Sequence, residues 1–173
     1  MTSSQPEPWL RGPVPDVPPL LQPVAHALMQ AAEDVRRVVT SLDADTLWVR
    51  PGGAASVGFH VRHAAGALDR LFTYARGETL SAEQRTALMR ETAAEEQGRG
   101  SAAELVAAFE AQVERAMAQL RATREDILSE RREVGRARLP STVLGLLFHA
   151  AEHTQRHVGQ TITTAKIARG LAG

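Results

Sequence analysis

The chain of 173 residues predicts an all-α fold, a four-helix bundle preceded by an extended proline-rich arm and carrying a short extra helix between its second and third long helices. Three observations predict it. Apolar residues recur at steps of three and four through four separate stretches, as in helices that each bury one face. Strand signals are sparse by comparison. His149, His153 and His157 stand at strict four-residue intervals, a spacing that stacks three imidazoles along one side of a helix.

The elements follow in chain order. Pro6, Pro8, Pro13, Pro15, Pro18 and Pro19 deny helix to residues 1–19 and bias them to an extended arm, with Trp9 and Leu10 available to pin it to the body. From Leu20 the pattern changes. Leu21, Val24, Ala25, Leu28, Ala31, Ala32, Val35, Val38, Val39 and Leu42 mark the first long helix, which should end between Ser41 and Asp45. Pro51, Gly52 and Gly53 make the stretch from Leu47 to Gly53 a loop. Ser56 is placed to cap a second helix carrying Val57, Val61, Ala64, Leu68, Leu71 and Ala75 as a bundle seam, stopped by Gly77. Ser81, with Glu83 and Gln84 behind it, opens a short polar surface helix that fades at Gly98 and Gly100.

Ser101-Ala102-Ala103-Glu104 is a capping-box pattern, and Leu105, Phe109, Val113, Ala116, Met117, Leu120 and Ile127 form the buried stripe of the third long helix. Charged residues and Gly135 make residues 129–139 a crossing loop with a brief extended stretch. Pro140-Ser141-Thr142 opens the fourth long helix, which runs through the histidine stripe to about Ala168. The division expected is an arm over residues 1–19 and one helical domain over residues 20–170.

Composition narrows the chemistry. The chain has no cysteine, which removes disulfides, thiolate metal sites and cysteine nucleophiles, so a metal here would be held by histidine and carboxylate. A cytoplasmic location is the expectation. Twenty basic residues balance twenty acidic ones, which leaves no electrostatic footprint of a nucleic-acid binder. The N-terminal stretch has neither the apolar run of a signal peptide nor that of a membrane span. No Gly-x-Ser-x-Gly turn or strand-rich scaffold supports a nucleophilic triad.

The histidines remain. Neutral imidazole suits zinc, nickel, copper or iron, and two histidines at i and i+4 can share an ion when a third ligand arrives from elsewhere. At about 1.5 Å rise per residue, His149 and His157 lie about 12 Å apart along the axis, too far to meet on one ion. Helical phase turns His157 most toward the apolar side, His153 next and His149 farthest out, so the inner pair is His153 and His157. Glu152 turns away. The third ligand lies in Phe59-His60-Val61-Arg62-His63, where phase puts His60 closer to the seam than His63 and does not choose between them. Against this stands the plainer alternative that core-side histidines are only hydrogen-bonded. Two clusters on separate helices favour a shared site.

These motifs also carry a resemblance. Ser56-Val57-Gly58-Phe59-His60-Val61-Arg62-His63, followed by Leu68-Asp69-Arg70 and Tyr74, resembles the first motif of the DinB/YfiT-like superfamily. Residues Glu152 to Gln160 resemble its second, a His-x-x-x-His followed closely by Gly-Gln, with Val158 where Arg-Gly-Gln is commonest. The resemblance spans residues 20–168 and implies an up-down-down-up bundle with a divalent metal, zinc or nickel, on three histidines. By position it puts the ligands at His63, His153 and His157, with His60 and His149 left to support them or line the pocket. It also implies metal-dependent chemistry with low-molecular-weight thiols in some relatives.

Three histidine ligands leave a position open, the arrangement of a catalytic site. The leading expectation is therefore a metal-dependent S-transferase or hydrolase acting on a small molecule, with a homodimer as the assembly. The alternative is a non-catalytic, stress-associated metal-binding dimer. Arg131, Arg132, Arg136 and Arg138 before the last helix could hold a carboxylate, although their alternation with Glu130 and Glu133 reads more simply as a solvated loop.

Overall fold

Four long helices divide the apolar side chains of the chain among themselves, and each turns one stripe inward. The computed structural model describes residues 5–96 and 100–172. Its helices are α1 (Gln22–Val39), α2 (Ala44–Trp48), α3 (Val57–Ala75), α4 (Ala82–Glu96), α5 (Ala102–Ala122) and α6 (Val143–Ala172). In the bundle, α6 packs against α1 and α3, and α5 packs against the same two, so α3 and α6 lie side by side. Leu28, Val61, Leu68, Phe72, Phe109, Leu120 and Leu147 are almost wholly buried at the centre. None of the helices is long and apolar enough to cross a membrane, among the described residues.

Local chemistry sets the ends that matter for α3. Ser56 accepts from the Phe59 amide and caps the helix as expected. The preceding stretch departs from the expected loop: Asp43 accepts from the Thr46 amide and starts the single turn α2, whose Trp48 then covers the first turn of α3. Gly58 makes that possible, since a Cβ there would lie 2.6 Å from the Trp48 ring. The indole N–H donates to the Gly100 carbonyl at 3.0 Å, and the Arg62 guanidinium lies 5.0 Å from the ring centroid. The entry to α3 is thereby tied to the start of α5.

Other expectations need correction. The arm is not wholly extended, because Pro8–Leu10 and Pro19–Leu21 form single 3-10 turns, a geometry whose φ proline already satisfies. Trp9 and Leu10 are exposed, and the arm is held instead by buried Val14 and Val17 and by the Gln22 carboxamide, which bonds the backbone of both valines. Helix α5 stops at Ala122 and leaves Ile127 in a following 3-10 turn, so the stripe ends at Leu120.

The crossing loop is a β-hairpin, β1 (Arg131–Val134) and β2 (Leu139–Thr142), paired antiparallel with Arg132 opposite Ser141. Pro140-Ser141-Thr142 therefore belongs to β2, and α6 begins at Val143 with the Thr142 hydroxyl accepting from the Gly145 amide. Leu71 is displaced from the seam by Phe72, which takes the core position while Leu71 is only half-buried. The extra helix α4 opens behind Ser81 as expected; Gly98, where it was expected to fade, lies outside the described residues.

Candidate metal centre

Because α3 and α6 are neighbours, histidines on their facing flanks meet. One ring nitrogen from each of His63, His153 and His157 lies within 4.8 Å of the other two. The His63 Nε2 and His153 Nε2 are 3.1 Å apart. Two nitrogens each bonded at about 2.0–2.1 Å to one ion stand roughly 3 Å apart, so this spacing fits a shared cation. The donor set is chemically suitable too, being three imidazoles and no lysine or arginine head. Geometry and donor chemistry together fit a divalent metal ion.

The fourth and fifth histidines fall elsewhere. His60 is buried, as its place near the seam foretold, and its Nδ1 is 3.1 Å from the Nδ1 of His157. With the proton of that hydrogen bond on His157, the Nε2 of His157 keeps its lone pair for an ion. His149 lies at the exposed end of the stripe, 3.4 Å from Glu152, which also pairs with Arg156 at 2.5 Å. The order of burial along α6 follows helical phase.

A residue that sequence reasoning missed holds the arrangement from behind. The His63 Nδ1 donates to Glu91 Oε2 at 2.7 Å, and Arg70 donates to Glu91 Oε1 at 2.5 Å. Glu91 belongs to α4, expected to be a polar surface helix, yet it is 6% exposed. A carboxylate on the far nitrogen fixes both the tautomer and the direction of a metal-binding imidazole. Gly66 leaves room for the pair, since a Cβ there would stand 2.5 Å from Glu91 Oε1 and 2.8 Å from the Arg70 guanidinium. Phe59 stacks on the His63 ring with planes 8° apart and fixes its remaining rotation. The sequence traces of this support were Phe59 and Arg70, both inside the first motif and without an assigned role.

Electrostatics favour the neutral form of His153 and His157. Burial, then the neighbouring His63, His153 and His60, push His157 down to about 4. Burial and His63 lower His153 as well. Burial alone would raise Glu91, but the hydrogen bonds from His63 and Arg70 outweigh it and hold the carboxyl below its ordinary value. Neutral imidazole is the form that binds metal.

Stability should record this. An unfolded histidine takes its proton near pH 6.5 and folded His157 only near 4, so between those values the unfolded state binds the additional proton. Metal-free protein is therefore expected to lose stability as pH falls from about 6.5 toward 4, with Glu91 adding its loss below about 4.5. Thermal melts of chelated protein at pH 7.5 and 5 would show a lower Tm at pH 5, and a smaller drop for His157→Gln. Equal melting temperatures would contradict the burial argument.

Two of the four arginines of the hairpin, Arg132 and Arg138, are engaged. Arg132 donates to the Ala75 carbonyl at 2.9 Å and to Glu130 at 3.0 Å, pinning the hairpin to the end of α3, and Arg138 pairs with Glu133. The expectation of a loop alternating its charges describes these residues better than a carboxylate clamp.

The model of the family described as the DinB superfamily matches residues 27–161. That span holds all three clustered histidines together with His60, Arg70 and Glu91. No curated protein matches the chain.

Proposed function

The chain belongs to the DinB superfamily, and from that premise we propose that it is a metal-dependent enzyme of the thiol-transferase or hydrolase type, with zinc or nickel held by His63, His153 and His157. The observation that carries the reading is the convergence of three imidazoles from two helices, one of them oriented by the buried Glu91. A divalent ion bound there supplies Lewis acidity and lowers the pKa of a thiol or water that reaches it. The protein's own groups do the rest. Glu91 and His60 orient His63 and His157, Phe59 limits the His63 ring, and His149 stands at the rim of the adjoining groove, where a released proton can be taken up. In thiol transfer the sulfur bonds to an electrophilic carbon as that carbon's bond to its leaving group breaks, and the proton given up by the sulfur passes to the departing group. In hydrolysis the water oxygen bonds to the ester carbonyl carbon, the carbon–alkoxy bond breaks, and the proton given up by water leaves with the alcohol.

The test is metal analysis of protein purified without a histidine tag, followed by a screen of thiols against electrophilic acceptors and of simple esters. One ion per chain is expected, with turnover that a chelator removes and added metal restores. The chelated protein should still fold, with a modestly lower Tm, because the apolar core does not depend on the site. Bound metal with no turnover across both screens would favour a purely metal-binding role, and an unfolded apo protein would mark the ion as structural.

A further inference from the structure

Beside the histidine cluster, between α3, α4 and α6, lies a groove of about 290 Å³. This volume is at the small end of ligand sites. His63 and His153 form its inner end, whereas His157 does not reach it. The walls are Ala67, Leu71, Leu80 and Leu88, and Tyr74 stands at the far end. Among the described residues, the one charged side chain in the lining is Arg70, whose guanidinium is already bound by Glu91 at 2.5 Å. A bound anion would have to compete with that carboxylate.

The leucines are unusual in their setting. Leu71 comes from a seam position that Phe72 fills instead, and Leu88 is 43% exposed on an otherwise polar helix. Leu71 packs against the edge of the core and is only half-buried there. A second, more polar cleft of about 540 Å³ shares only Tyr74 with this one and is lined by Arg131, Arg132 and Arg138.

We infer that the groove receives an uncharged apolar group of the substrate, so that the site acts on small hydrophobic thiols or acceptors and not on carboxylate-bearing ones. This rests on the reading that the three histidines hold the metal. Burying one methylene is worth about 0.8 kcal/mol, or about a fourfold gain in affinity. An unbranched chain entering from the histidine end should gain that factor for each carbon until the groove is full.

The experiment uses the full chain loaded with Co²⁺, whose sulfur-to-metal charge-transfer band reports thiol binding without requiring turnover. Titration with ethanethiol, butanethiol and 3-mercaptopropionate should give butanethiol an affinity at least tenfold above ethanethiol, with 3-mercaptopropionate weaker than butanethiol. Leu71→Asn and Leu88→Asn should flatten the dependence on chain length while keeping Co²⁺, since neither side chain is fully buried and neither is among the three clustered histidines. Affinity independent of chain length, absence of the band, or tighter binding of 3-mercaptopropionate would overturn the inference, and the last would point to the arginine cleft. Such failures leave the metal reading standing if Co²⁺ is bound. Failure to take up Co²⁺ would overturn both.

Discussion

Alanine at His63, His153 or His157 is expected to abolish tight metal binding, while alanine at His60 or His149 leaves one ion per chain. The first three supply nitrogens to one point between α3 and α6. His149 cannot substitute for His157, because eight residues of helix separate them by about 12 Å. His60 meets His157 through the nitrogen that faces away from an ion bound at Nε2, so its removal should weaken affinity without emptying the site. Elemental analysis of the five tag-free variants would show the pattern. Metal retained in His157→Ala but lost in His149→Ala would move the site one turn toward the start of α6. Metal retained in His63→Ala but lost in His60→Ala would exchange their roles.

Loss of Glu91 should have the next largest effect. Its two oxygens serve His63 and Arg70, and the side chains of Glu91 and Arg70 are only 7% and 11% exposed. Glu91→Ala is expected to reduce metal affinity by roughly 10–100-fold, since an imidazole without its carboxylate loses both orientation and basicity. It should also destabilise the fold by roughly 3 kcal/mol, because the Arg70 guanidinium is left without its partner in a largely dry place. Glu91→Gln keeps an acceptor for His63 and should fall between. Competition with a chromophoric chelator and thermal melts of the metal-free variants separate the two effects. Wild-type affinity in Glu91→Ala would mean that Phe59 stacking alone orients His63.

The long helices were legible because burial imposes a period: Leu28, Val61 and Phe109 are core residues in both sequence pattern and structure. The histidine stripe was legible for a similar reason, since spacing decides which side of a helix a residue occupies. His60 and His63 mark where phase stops being sufficient. Phase correctly made His60 the more buried of the two, but a buried seam position packs against the neighbouring helix, and His63 on the flank is the one set beside His153.

Glu91 was hidden for another reason. Helix α4 has no apolar stripe, so nothing in its own pattern reveals which side faces the bundle, and the burial of Glu91 depends on partners about 20–30 residues earlier, Arg70 and His63. The hairpin was hidden by charge. Arg131, Arg132 and Glu133 read as a solvated loop until Arg132 is seen tied to the Ala75 carbonyl.

The central claim is that one ion sits on His63, His153 and His157. Anomalous scattering from a crystal of the metal-loaded protein, recorded on either side of the absorption edge of the bound metal, locates that ion directly. The account predicts a single peak per chain about 2.0–2.1 Å from one nitrogen of each of these three histidines, with Glu91 on the far nitrogen of His63. A peak bound by His60 or His149 in place of any of the three, or no peak between α3 and α6, would contradict it.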